Sequence, residues 1–287
     1  MTPDFGRVLT AMISPFTTDD ELDVEGAKTL AKWLVEQGNE GLVIAGTTGE
    51  SPTLTHEEQI NLIAAVVEAV DVPVIAGAGS NDTKTAVELT ERCTEVGASG
   101  ILTVTPYYNR PSQQGLLEHF SAIAKSTNLP VMLYDIPARS GRKIDTSTIL
   151  QLADEVENIV ALKDAAGDVA ETARLIAAAP EGFEVYSGED SLTLSLLSVG
   201  AVGTVSVASH WSTPETSEMI KSFFAGDFLR AAETNHRLIP SYDFESGDLT
   251  PNPVPTKAMM KILNLPGGNC RLPMGFELEW FAVIACV

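Results

Sequence analysis

Short runs of β-branched or apolar residues alternate with longer segments of helical spacing from the N-terminus to about residue 225, and no other feature of the chain constrains its fold as strongly. Eight strand candidates can be read: Leu9–Pro15, Gly41–Gly46, Val72–Gly77, Gly100–Thr105, Pro130–Ile136, Ile159–Lys163, Glu184–Ser187 and Val202–Val207. Between them, segments such as Val24–Gln37, His56–Val70, Thr83–Val96, Gly115–Ser126 and Val169–Ala179 carry apolar residues at helical spacing, often opened by Ser, Thr or Asp and closed near Gly. Eight such units fit a (β/α)8 barrel spanning residues 1–225. A doubly wound open sheet is the alternative, since strand order is not written in one sequence. Beyond Ala225, Asp227–Tyr242 and Val254–Leu263 predict a C-terminal helical region, 226–287, with no low-complexity linker before it. The last stretch, Gly275–Val287, is short and largely apolar.

With 39 acidic against 18 basic residues the formal charge is −21, which argues against nucleic acid or an anionic membrane surface as partner, because both repel such a field. An anionic substrate must be held by local groups working against the overall field. Cys93, Cys270 and Cys286 are an odd number without C-x-x-C spacing, so neither a disulfide framework nor a zinc site is expected. No run approaches the ~20 apolar residues of a membrane span and no signal-peptide pattern opens the chain, so a cytoplasmic location is expected.

In barrels of this kind chemistry sits at the C-terminal ends of the strands. Of nine lysines, Lys163 is the one placed inside a strand candidate, in the run Ile159-Val160-Ala161-Leu162-Lys163. An amine set among apolar neighbours has its charged form disfavoured, and the neutral form is a nucleophile for a carbonyl. The bland alternative is a lysine that snorkels to the rim or pairs with Asp164. Tyr134, one strand away, could move protons for such chemistry if hydroxyls such as Thr47 assist the phenol; a strand tyrosine is otherwise simply packed. Gly46-Thr47-Thr48-Gly49 offers backbone N–H groups and two hydroxyls suited to a carboxylate, or is a tight turn that caps the next helix. Arg139 could fork onto a second carboxylate, or make a surface salt bridge.

Metal chemistry finds little support. The histidines His56, His119, His210 and His236 are scattered, three of them within or opening helical patterns, and no His-x-His follows the first strand. Gly77-Ala78-Gly79 lacks the third glycine of a dinucleotide loop.

Taken in order, Gly46-Thr47-Thr48-Gly49-Glu50-Ser51, Thr105-Pro106-Tyr107-Tyr108-Asn109-Arg110-Pro111, Tyr134-Asp135-Ile136-Pro137-Ala138-Arg139-Ser140-Gly141 and Leu162-Lys163-Asp164 closely resemble the dihydrodipicolinate synthase family, from about Val8 to Pro273. The resemblance implies a (β/α)8 barrel with a C-terminal helical region, assembled as a homotetramer of tight dimers. It implies condensation of pyruvate, bound as a Schiff base on Lys163, with L-aspartate-4-semialdehyde, and no cofactor. By motif, Tyr134 would donate and accept protons in a relay with Thr47 and with Tyr108 of the neighbouring subunit. Thr48 and the backbone of Val205 would hold the pyruvate carboxylate, Arg139 the carboxylate of the aldehyde, and Gly188 would line the pocket.

Two departures from the family pattern stand out. Ser51, His56, Asn81 and Tyr107 match an effector pocket for lysine, but Gln59 replaces a histidine and Thr85 a glutamate of lysine-inhibited members, so feedback is expected to be weak or absent. The apolar end after Pro273 stands where the family usually has a charged helix. Sister aldolases acting on sugar aldehydes share the lysine and tyrosine; Arg139 and the paired threonines separate them from this chain, since a sugar aldehyde wants neutral groups there. A non-catalytic barrel would be expected to have lost Lys163, Tyr134 or Thr47.

Overall fold

The protein is described by a computed structural model over residues 5–245, 247 and 250–275; the apolar end from residue 276, with Cys286, lies outside the described residues. Eight parallel strands close into a barrel in chain order: β1 (Val8–Ala11), β2 (Gly41–Ile44), β3 (Val74–Gly77), β4 (Gly100–Val104), β5 (Val131–Asp135), β6 (Ile159–Asp164), β7 (Glu184–Ser187) and β8 (Gly203–Ser206). The strand β8 pairs back onto β1, Leu9 opposite Val205, and closure removes both sheet edges. The open-sheet alternative is thereby discarded.

Around the strands run α1 (Val24–Glu36), α2 (His56–Ala69), α3 (Thr83–Glu95), α4 (Gln113–Lys125), α5 (Pro137–Ser140), α6 (Thr146–Glu155), α7 (Val169–Ala178), α8 (Thr193–Ser198) and α9 (Ser209–Phe224). Their starts follow local chemistry. Asp23 accepts from Gly26 N at the head of α1, and Thr55 with Glu58 forms a capping box on α2, so helices begin where the sequence supplies an acceptor.

Two apolar layers result. Inside the barrel, Leu9, Val43, Ile75, Leu102, Met132 and Ala161 pack with Tyr134, Tyr186 and Val205. Between strands and helices lies the larger core, including Leu30, Ile44, Ile63, Phe120 and Leu162. Four of the predicted strands end a residue or two early, and β1 ends at Ala11 rather than Pro15, although Met12 N still donates to Val43 O at 2.9 Å. There the chain turns into the loops at the mouth.

Two C-terminal helices, α10 (Phe228–Glu245) and α11 (Val254–Ile262), follow. Three residues beyond the expected end at Tyr242, α10 carries Glu245 to the barrel mouth, where it lines a cleft. From α11 the chain returns to the first barrel loops: Lys257 makes a 2.6 Å ion pair with Glu50, and Arg271 N donates to the other Glu50 oxygen at 2.9 Å.

Candidate active site

Lys163 faces the barrel interior because of an irregularity in β6. In a regular strand, side chains two apart share a face, so Lys163 would point the way of Ile159, which belongs to the layer under the helices. Ile159 pairs with Val131, but Ala161 pairs with the next residue, Met132, leaving Val160 as an extra residue. This bulge shifts the phase by one position, so Ala161 joins the interior cluster and Lys163 follows it inward. Beyond the bulge Tyr134 lies opposite Lys163, and Asp135 opposite Asp164.

Lys163 is 5% exposed, with Nζ 4.3 Å from the centre of the Tyr134 ring. Among the described residues no carboxylate pairs with it. Asp164, the nearest candidate in sequence, is occupied elsewhere: its oxygens accept from the Thr172 hydroxyl and from Ala166 N. Asp135 likewise accepts from Ile144 N at 3.1 Å and faces Lys143 at 3.5 Å, and burial pushes its carboxyl up to about 6. Both strand-end carboxylates thus lock β5 and β6 from outside and leave Lys163 free of a counter-ion.

The amine opens on a cleft of about 530 Å³ whose wall includes Thr47, Thr48, Tyr134, Arg139, Gly188 and Asn252. Gly188 is a spatial necessity, since a Cβ there would sit 2.9 Å from Lys163 Cγ. Thr48 accepts from Asn252 Nδ2 at 3.0 Å, while Arg139 Nη2 donates to Asn252 O at 3.2 Å. Arg139 is exposed and without an ion pair among the described residues. The cleft therefore sets a buried amine and a phenol beside hydroxyls and one forked cation, a layout for a carbonyl compound bearing carboxylate.

A sequence profile of the dihydrodipicolinate synthetase family matches residues 4–279. The chain belongs to this family. It is 49% identical over 272 residues to the 4-hydroxy-tetrahydrodipicolinate synthase of Moorella thermoacetica, covering 94% of this chain and 92% of that one. The dihydrodipicolinate synthase of Bacillus anthracis superposes with a TM-score of 0.95 at 45% identity, covering 99% of this chain and 97% of the other. The Cyanidioschyzon merolae enzyme, solved with lysine bound, gives 0.96 at 42% identity, covering 99% and 96%. The activity is accordingly that of the dihydrodipicolinate synthetase family, a lyase-class synthesis of 4-hydroxy-tetrahydrodipicolinate by condensation of pyruvate with L-aspartate-4-semialdehyde on the diaminopimelate route to lysine.

Against this family pattern, the structure gathers most but not all of the expected residues. Lys163, Tyr134, Thr47, Thr48, Arg139 and Gly188 all line the cleft. Tyr108 does not: it is 90% exposed at a loop tip, with φ +73°, tied by its N–H to Ser140 O. Val205 is buried in the interior cluster beneath, and Val207, just past the end of β8, reaches the cleft instead.

Of the effector residues, Asn81 Nδ2 donates to Tyr107 O at 3.2 Å, Ser51 O accepts from Gln59 Nε2 at 2.8 Å, and His56 is exposed at the start of α2. The Thr85 hydroxyl is spent on Asp82 at 2.6 Å in the cap of α3. Asp190, Glu245 and Asn252 also line the cleft and were not anticipated. The repeated prolines around Asn252, in Pro251-Asn252-Pro253, are the one signal that could have marked a fixed turn. All four histidines fall on helices, His210 in α9, and no three His, Cys, Asp or Glu among the described residues converge as a metal site.

Proposed function

We propose that Lys163 carries the condensation as a covalent intermediate. Its amine adds to C2 of pyruvate and water leaves, giving an iminium; loss of a C3 proton yields an enamine, and C3 then attacks the aldehyde carbon of L-aspartate-4-semialdehyde. The amino group of that substrate closes the ring on the imine carbon and releases Lys163. The observation that carries this reading is a lysine 5% exposed, without a carboxylate partner among the described residues, opening on the cleft that holds Arg139. The iminium formed on Lys163 is the electron sink, so the proposed route draws on no cofactor.

In this reading Tyr134 moves the protons, with Thr47 beside it. Thr48 and the Val205 backbone hold the pyruvate carboxylate, Gly188 leaves room for the lysine chain, and Arg139 takes the aldehyde's carboxylate. Tyr108, directed away from its own cleft, completes the relay in a neighbouring subunit, in a cytoplasmic homotetramer built of tight dimers. A mixing experiment tests this. Lys163→Ala and Tyr108→Phe should each be nearly inactive, and reassembled mixtures should recover about a quarter of the sites, since in half of a mixed dimer both intact groups meet. Recovery no greater than the sum of the parents would place Tyr108 outside the neighbour's site.

Feedback by lysine is proposed to be weak or absent. A glutamate at position 85 could have paired with an effector ammonium, a contact worth roughly 1.5–3 kcal/mol, whereas the Thr85 hydroxyl is engaged by Asp82. Lysine titrated at saturating pyruvate should leave turnover nearly unchanged; strong inhibition at low concentration would contradict this.

A further inference from the structure

One wall of the cleft is held together by two carboxyl groups that the reaction does not use. Asp190, 5% exposed, follows the Gly188-Glu189 turn after β7, and its Oδ2 accepts from Val207 N at 2.7 Å and from Ala208 N at 3.1 Å after β8. The carbonyl of Val207 is held too, facing His210 Nδ1 at 2.8 Å while His210 Nε2 accepts from Ile13 N. From α10, Glu245, also 5% exposed, brings its carboxyl within hydrogen-bonding reach of Asp190. Its Oε2 is buried without a partner among the described residues.

Two buried carboxyl groups in contact do not both ionise. Asp190 is already committed as an acceptor to two backbone N–H groups, so the donor in this contact is the Glu245 carboxyl. We propose that Glu245 is a positioning residue: as a neutral acid it donates to Asp190 and so fixes the β7 and β8 turns that wall the pyruvate end of the cleft. The proposal rests on the Lys163 cleft being the reacting site.

Burial raises the Glu245 carboxyl well above its ordinary range, Asp190 and the charge of Glu189 push the same way, and only the Ala208 backbone N–H opposes them. Tyr242, on the same helix, is raised by burial and then by Asp190 and Glu245. His210 is held down to about 4 by burial and stays neutral, and the basic side chains Lys163 and Arg139 line the same cleft.

Glu245→Gln keeps a donor, whereas Glu245→Leu keeps only bulk. The glutamine variant should retain kcat and the pyruvate KM within about twofold, and the leucine variant should raise the pyruvate KM by about tenfold, the loss of one hydrogen bond to a charged group. A leucine variant with lowered stability and an unchanged pyruvate KM would overturn the proposal, as would a glutamine variant as impaired as the leucine one. If the leucine variant does not fold, pH decides. A carboxyl raised in the folded state contributes stability that is fully present below its unfolded pKa and is lost as pH rises through the folded value. Unfolding of the wild type should therefore show this loss with rising pH, and Glu245→Gln should flatten it; identical slopes would refute a proton on Glu245. Borohydride trapping with pyruvate separates the two layers, since no adduct on Lys163 in the wild type would sink the site assignment, whereas an adduct with normal pyruvate dependence in the leucine variant would sink only the role of Glu245.

Discussion

Lys163 and Lys257 are both buried, 5% and 3% exposed, yet their surroundings differ in the one respect that matters for chemistry. Lys257 Nζ lies 2.6 Å from Glu50 Oε1, a contact between charges rather than an aligned hydrogen bond, donates to Asn269 O at 2.9 Å and sits over the Phe16 ring at 4.0 Å. Burial lowers its pKa on balance, with Glu50 pulling the other way. Lys163 has the phenol ring of Tyr134 at 4.3 Å and open cleft beyond. A buried lysine enclosed by acceptors serves the structure; one with open space in front of it can react. The two are also connected, because Glu50 closes the turn that begins with Thr47 and Thr48, with Glu50 N donating to Thr47 O at 3.0 Å.

The largest effect expected from breaking this contrast is on turnover. Lys163→Ala should lower kcat by about a thousandfold or more, because the variant lacks the proposed nucleophile, while thermal unfolding shifts little. Appreciable residual turnover of the purified variant would place the nucleophile elsewhere. Lys257→Met should do the reverse in kind: it leaves Glu50 charged and unpaired in a dry site, costing about 3–5 kcal/mol in denaturant unfolding, with the ability to form the pyruvate adduct retained in whatever fraction stays folded. Adding Glu50→Gln should recover most of that loss, because removing both charges is far cheaper than removing one. A double variant as unstable as the single one would mean that the ion pair is not what Lys257 contributes.

The sequence made one of these lysines visible and hid the other. Lys163 stands out because a cation interrupts an apolar strand run, and the eightfold alternation of strands and helices placed that run at the barrel mouth. Lys257 lies in a helical pattern, Val254–Leu263, where a lysine ordinarily belongs to a solvated face; only the return of the chain through Asn269 and Arg271 encloses it. Strict alternation along β6 would even have turned Lys163 outward, and the bulge at Val160 that corrects it has no glycine or proline to announce it. Asp190 and Glu245 meet across 55 positions of chain, and Glu245 lies three residues past the point where the helical spacing of α10 faded. Long-range pairing of this kind is set by tertiary packing, which local periodicity does not encode. Motif likeness supplied Tyr108 and Val205, whose place in a complete site depends on a neighbouring subunit and on backbone atoms respectively.

The central claim, that Lys163 and not merely a buried lysine is the nucleophile, is tested most directly by reducing the enzyme with borohydride in the presence of pyruvate and mapping the modified peptide by mass. One adduct per chain is expected, on Lys163, with Lys257 unmodified; an adduct on Lys257, or none at all, would place the nucleophile elsewhere or remove the covalent step.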